Sequence, residues 1–245
     1  SWYRRQRQMC IRDRDVSNGN YFSYMFYEAS EFDQDLSEWD VSNGTDFEFM
    51  FSRASTFNQD ISSWDVSSGT DFSDMFAHAT KFDQDLSNWD VSSGTDFQYM
   101  FYNSDLFNGE IGSWDVSNGT DFHSMFGYAE SFNQDISSWD VSNGTQFQYM
   151  FYYASEFDQD ITTWKVDANA SLNNMFEGAD LMQSNQQFSS TPKSSDFNKT
   201  SIYAFTNKSA LSNAIDEWIE DQDDATETYG DINTWDVSQI TDFSN

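Results

Sequence analysis

Residues 36–60, LSEWDVSNGTDFEFMFSRASTFNQD, return almost letter for letter every 25 residues. Tryptophan falls at Trp39, Trp64, Trp89, Trp114, Trp139 and Trp164. A Met-Phe pair falls at Met25-Phe26, Met50-Phe51, Met75-Phe76, Met100-Phe101, Met125-Phe126, Met150-Phe151 and Met175-Phe176. A fixed period in this range marks a stack of like units, none of which can bury its apolar side alone.

Within one unit, Thr45-Asp46-Phe47-Glu48 has the spacing of a capping box. Phe47, Met50, Phe51 and Ala54 then recur at offsets 0, 3, 4 and 7, which predicts a short helix with that face inward. Asn58-Gln59-Asp60 reads as a polar corner. Ile61, Trp64 and Val66 read as a short strand, paired in parallel with its copies roughly 4.8 Å away. The expected fold class is α/β: a right-handed, leucine-rich-repeat-like solenoid of 25-residue coils, each a short parallel strand, a turn and a short helix.

Four segments follow from the pattern. Residues 1–14, SWYRRQRQMCIRDR, match neither the repeat nor its composition and read as a non-native or adapter-derived leader. Residues 15–182 form a first array of seven helical coils, the last degenerate: Lys165 replaces the usual aspartate, and Met182 stands where phenylalanine is expected. Residues 183–200 are a polar linker holding the only proline, Pro192. Residues 201–245 start a second array: Leu211, Ala214, Ile215, Trp218 and Ile219 have helical spacing, and Trp235-Asp236-Val237-Ser238 restores the repeat. Both ends are expected to be cut from a longer protein.

The 245 residues carry a net charge of −31, and five of the eleven basic residues lie in the first 14 positions. A surface this acidic repels nucleic acid and anionic membranes and attracts cations or basic partners. The single cysteine, Cys10, lies in the leader, so the array has no disulfide. No apolar run is long enough to span a bilayer.

Coils of the type FNQDISSWDVSNGTDFSDMF, with the joining segment AIDEWIEDQDDATETYGDINTWDVSQITDF, resemble the BspA-like leucine-rich-repeat surface proteins, a mycoplasma-lipoprotein-type domain of unknown function. The resemblance covers nearly all of residues 15–245. It departs at Gly44, Gly69, Gly94, Gly119 and Gly144, where that family usually has an aliphatic residue, and at Phe47 and its equivalents, where it has methionine. A larger phenylalanine beside a smaller glycine conserves core volume. Membership implies an extracellular or cell-surface location with an adhesive or structural role, and supplies no catalytic residues.

Two carboxylate columns repeat along the array: Asp35, Asp60, Asp85, Asp135 and Asp160 at the corner, and Asp40, Asp65, Asp90, Asp115 and Asp140 beside the tryptophan. Oxygen-rich columns suit calcium, although no EF-hand loop is present; the alternative is that they cap turns. Asn43, Asn118, Asn143, Asn169, Asn198 and Asn207 head Asn-x-Ser/Thr sequons and are candidate glycan acceptors. The threonine column Thr45, Thr70, Thr95, Thr120 and Thr145 suits helix capping and, more remotely, ice binding.

Tyr24, Tyr99, Tyr128 and Tyr149 suit either sugar stacking or the edge of the core. His78 and His123, at variable outer positions, are expected to face solvent. Every acid recurs along the stack, so no unique catalytic cleft is expected and the chain reads as a non-enzyme with no cofactor beyond calcium. The expected function is an extracellular or cell-surface structural or adhesive repeat protein, binding proteins, glycans or copies of itself through its acidic surface. A calcium-responsive interaction module is the alternative, and head-to-tail assembly is available where coil ends are open.

Overall fold

The computed structural model describes residues 14–197 and 208–220, which fall into two compact units, Ser1–Phe197 and Asn198–Asn245. In the first unit, the 25-residue repeat builds a stack of coils. The expected α/β solenoid is overturned, because residues 14–179 contain neither helix nor strand. The coils meet instead through isolated parallel bridges, Tyr21 to Asp46, Asp46 to Asp71, and so on to Gln146 and Ser171. The handedness argument, which needed a strand–helix–strand crossover, loses its basis with them.

The reason lies in how the backbone N–H groups between Phe47 and Ala54 are spent. Those of Met50, Ser52 and Ala54 close tight turns onto the carbonyls of Phe47, Phe49 and Phe51, at 2.9–3.2 Å. Those of Phe47, Phe49, Phe51 and Arg53 donate to the next coil, to the carbonyls of Asp71, Ser73, Met75 and Ala77, at 2.7–3.0 Å. An α-helix would direct those beyond its first turn four residues back within its own segment. The alternation needs a left-handed residue every fourth position, and Phe49 (φ 54°) and Arg53 (φ 62°) supply it, as do Asp74 and His78, and Tyr99 and Asn103, in later coils. Such residues interrupt a helix, so the result is a ribbon of consecutive turns. The ribbon still puts Phe47, Met50, Phe51 and Ala54 on one inward side, all fully buried.

The capping-box reading falls with the helix. The Thr45 hydroxyl donates to the Asn20 carbonyl of the preceding coil, and Thr70, Thr95, Thr120 and Thr145 each donate to the threonine carbonyl 25 residues back, at 3.1–3.2 Å. The segment read as a strand is likewise a turn, closed by Trp64 N–H on the Ile61 carbonyl. There the coils are tied through side chains. The indole N–H groups of Trp64, Trp89, Trp114, Trp139 and Trp164 donate to buried carbonyls 28 residues back at 2.9–3.1 Å.

The core is a set of aromatic columns. Phe26, Phe51, Phe76, Phe101, Phe126, Phe151 and Phe176 stack at 5.3–5.7 Å between ring centroids. Trp64 to Trp164 stack at 6.3–6.5 Å with nearly parallel planes. Offset stacking of this kind contributes about 0.5–1.5 kcal/mol per pair beyond area burial. The glycine–phenylalanine exchange has a direct cause: a Cβ on Gly44 would lie 2.6 Å from Phe47 Cζ, and the glycines of later coils are filled in the same way by Phe72, Phe97, Phe122 and Phe147.

The last coil is closed by a short helix α1, Asp180–Ser184, a return loop and a 3-10 turn at Ser194–Asp196. The Asn174 N–H, which in earlier coils would meet the next coil, donates to the Thr191 hydroxyl at 2.9 Å. That of Phe176 donates to the Ser190 carbonyl at 3.0 Å. Phe188 and Phe197 extend the aromatic core beyond Phe176. In the second unit, helix α2 spans Lys208–Glu220, as the spacing of its apolar residues predicts, with Leu211 and Ala214 buried. The returning repeat that begins at Trp235 lies outside the described residues.

Candidate functional site: the tyrosine face of the turn ribbon

Both predicted carboxylate columns lie on the surface, and both are occupied by their own turns. One oxygen each of Asp35, Asp60, Asp85 and Asp135 accepts the N–H of the serine two residues on, and Asp160 that of Thr162. Asp40, Asp65, Asp90, Asp115 and Asp140 do the same, and all ten distances fall between 2.8 and 3.1 Å. Serine hydroxyls add bonds at 2.6–2.7 Å to Asp35, Asp40 and Asp65. Hydrogen bonds from the serine hydroxyl, then from its N–H, hold the Asp40, Asp60, Asp90, Asp135 and Asp140 carboxyls below their ordinary range. Among the described residues, no three acidic, histidine or cysteine side chains are arranged to hold a metal ion.

The sequon asparagines are also engaged. The side-chain amides of Asn43, Asn118 and Asn143 donate across coils to the carbonyls of Ser17, Ser92 and Ser117 at 2.7–2.8 Å, and that of Asn169 to the Asp167 carboxylate at 3.0 Å. All four residues are exposed. Asn198 and Asn207 lie outside the described residues.

The face that varies from coil to coil is the outer side of the turn ribbon. In the fourth to sixth coils it collects Tyr99, Tyr102, Tyr128, Tyr149, Tyr152 and Tyr153. The 25-residue stacking brings together positions that alternate along each ribbon. Tyr99 and Tyr102 meet edge-on at 5.3 Å, Tyr102 and Tyr128 at 5.6 Å, and Tyr128 and Tyr152 at 5.2 Å. Tyr128 and Tyr153 stack at 5.4 Å. Tyr153 is 45 % exposed and the others are half-buried, so these rings form a wall rather than the edge of the core.

Small residues seat the wall. A Cβ on Gly127 would press on the Tyr102 ring at 3.0 Å, and one on Gly178, which has φ +76°, on the Tyr153 ring at 2.7 Å. His123, expected in solvent, is half-buried among these rings, with Nε2 2.8 Å from the Tyr99 hydroxyl and its ring 5.8 Å from Tyr149. Desolvation, then the neighbouring Tyr128 hydroxyl, pushes the Tyr152 phenol up to about 12.

Amides neighbour the tyrosines along the chain. Gln98 and Gln148 precede Tyr99 and Tyr149, and Asn103 follows Tyr102. The Gln148 amide N–H donates to Gln146 at 2.7 Å, while its Oε1 is shielded from solvent without a hydrogen-bond donor. Tyr24, Tyr99, Tyr128 and Tyr149 were legible from the sequence. Tyr102, Tyr152 and Tyr153 join them by lying three or four residues along the same ribbon, a spacing that a helix would also have put on one face.

No curated protein and no solved structure matches the chain. A family model matches twice in tandem, over residues 3–106 and 86–190, so that together the matches span well over half of the sequence. The chain therefore belongs to the family described as Mycoplasma protein of unknown function, DUF285.

Proposed function

We propose that this chain is a binding module of an extracellular or cell-surface adhesive protein, the role implied by its BspA-like resemblance, and that it holds a neutral glycan chain along the tyrosine face. The observation that carries this reading is the continuous wall of Tyr99, Tyr102, Tyr128, Tyr149, Tyr152 and Tyr153. Seated aromatic rings offer flat apolar faces to the C–H faces of sugar rings at little entropic cost, because their rotamers are already fixed. Neighbouring amides and phenols supply hydrogen bonds to hydroxyls. The wall runs across three successive coils, an extended surface that suits a polymer better than a compact metabolite. The acidic coat turns away nucleic acid and anionic membrane. Among the described residues no helix is long and apolar enough to cross a membrane.

Affinity electrophoresis through gels containing neutral polysaccharides tests the reading. At least one polysaccharide is expected to retard the intact protein, and the double substitution Tyr128→Ala/Tyr152→Ala is expected to abolish most of that retardation. Unchanged mobility of the intact protein across neutral glucans, mannans, galactans and chitin oligomers would sink the proposal.

A further inference from the structure

Three rings at the start of the stack form a different kind of surface. Tyr24 stacks on Phe49 at 4.8 Å with planes 21° apart. Tyr27 stands against both, 5.5 Å from Tyr24 at 63° and 5.9 Å from Phe49 at 84°. Two nearly parallel rings and a third across them make a corner, and its walls are open: Tyr24 is 50 % exposed and Tyr27 38 %.

The neighbours of this corner are carboxylates. In the column Tyr24, Phe49, Asp74, Tyr99, an acid takes the place of a ring at Asp74. Glu48 occupies a position that is serine, glutamine or histidine in the coils from Ser73 to Gln148. The charges acting on the Tyr24 phenol are those of Glu48, Asp74, Tyr27 and Asp46, and with burial as the larger cause they push it up. Among the described residues, the charges acting on Glu48, Asp74 and Asp96 are those of carboxylates, namely Asp46, Asp71, Asp96, Asp121 and Glu48 itself. Arg53, in the same coil as Glu48, is exposed and acts on His78.

We infer that the corner of Tyr24, Tyr27 and Phe49, with Glu48 and Asp74 beside it, is a docking site for the lysine or arginine side chain of a partner protein. The chemistry is complementary on two counts. A cation over the face of a tyrosine or phenylalanine is held by the ring quadrupole, and the planar guanidinium of arginine also stacks on rings. The adjacent carboxylates crowd against one another and gain from any cation that arrives. Burial, then the charge of Glu48, raises the Asp74 carboxyl to about 7, so an arriving cation is expected to drive a proton off it and to bind more tightly at pH 8 than at pH 6. The site goes beyond the glycan reading and shares no residue with the tyrosine wall of the later coils.

The test is isothermal titration calorimetry of the full chain with the peptide acetyl-Gly-Arg-Gly-amide at pH 8, repeated at pH 6 and in the presence of calcium. Both Tyr24→Leu and Glu48→Gln/Asp74→Asn are expected to weaken binding by roughly three- to tenfold, in keeping with one cation–aromatic contact. The control Asp60→Asn/Asp85→Asn changes the net charge by the same amount elsewhere and is expected to stay within about twofold. Asp74→Asn removes repulsion and Tyr24 is half exposed, so these variants keep the fold. The proposal is overturned if the control loses as much as Glu48→Gln/Asp74→Asn, because binding is then general attraction to an acidic surface. It is equally overturned if Tyr24→Leu changes nothing while calcium displaces the peptide, which would make the acids a hard-cation site, or if the intact chain does not bind the peptide.

Discussion

The two outer sides of the stack use carboxylates in opposite ways. On the corner side, Asp40, Asp60, Asp90, Asp135 and Asp140 each close a turn through a following serine and titrate below their ordinary range. On the ribbon side, Glu48 and Asp74 titrate above theirs, with burial as the largest cause and neighbouring carboxylates adding to it. The corner repeats the same residue types in coil after coil. The ribbon side changes its residues at each coil, from Glu48 and Phe49 to Ser73 and Asp74 to Gln98 and Tyr99. Repetition accompanies residues whose partner is the next turn or the next coil. Variation accompanies residues with no such duty, and binding is sought there.

The sharpest break between these roles is expected from truncating one residue beneath them. Phe101 is fully buried, stacked on Phe76 at 5.6 Å, Phe107 at 3.8 Å and Phe126 at 5.7 Å. Phe101→Ala is expected to cost about 3–5 kcal/mol in urea unfolding. Tyr102→Ala, one residue along and half-buried on the ribbon face, is expected to cost well under half of that. Similar losses at the two positions would mean that the tyrosine wall is itself structural.

A middle-sized effect comes from Asp74. Its carboxyl is raised to about 7 from 3.8, so folding disfavours the ionised form. The stability it leaves intact is fully present below about pH 4 and is lost as pH rises through about 7. Asp74→Asn is therefore expected to raise the melting temperature at pH 8 and to leave it nearly unchanged at pH 4. The gain at pH 8 corresponds to about 2 kcal/mol once the full linkage value is discounted for the part of the group that meets solvent. Thermal melts of both proteins at the two pH values check this, and an equal shift at pH 4 would show that packing rather than charge is responsible.

The period, the buried set and the aromatic columns were legible because they follow from the 25-residue spacing alone. Phe47, Met50, Phe51 and Ala54 point inward whether the backbone is helical or not, and for that reason the same spacing could not distinguish a helix from a ribbon of turns. The deciding feature is positive φ at Phe49, Arg53 and Tyr99, alongside Asp74 and His78, and phenylalanine, arginine and tyrosine do not announce a left-handed conformation as glycine or asparagine would. The inter-coil hydrogen bonds that stabilise those conformations join residues 24 apart, beyond the reach of any local pattern. The closing loop was hidden for a similar reason: the polar composition of residues 183–197 signals a loop, whereas the burial of Phe188 and Phe197 depends on where Phe176 ends the column. On the ribbon face, Tyr99, Tyr128 and Tyr149 were visible as residues for either sugar stacking or the core edge, but the contacts of Tyr128 with Tyr102 and Tyr152 join neighbouring coils, beyond the reach of local spacing.

The smallest effect tests the corner side, and there the sign matters more than the size. Asp90 accepts the Ser92 N–H at 3.0 Å, and bonds from the Ser92 hydroxyl and N–H hold its carboxyl below the ordinary range. Stability from such a group is present above the unfolded-state pKa and is lost as pH falls through the lower folded value. Asp90→Asn keeps an acceptor oxygen in place but removes the charge that strengthens both bonds. A loss of about 0.5–1 kcal/mol at pH 7, vanishing near pH 2, is therefore expected. Simple repulsion along the column would give the opposite sign, because one fewer negative charge in a chain of net charge −31 would then stabilise the fold. Urea unfolding at low and at high salt separates the two terms: repulsion is screened over about 8 Å at physiological ionic strength, whereas the contact between Asp90 and Ser92 is short enough to survive it. A destabilisation that persists in salt assigns the corner carboxylates to the turns, and a stabilisation that salt removes would leave them as an idle charge column.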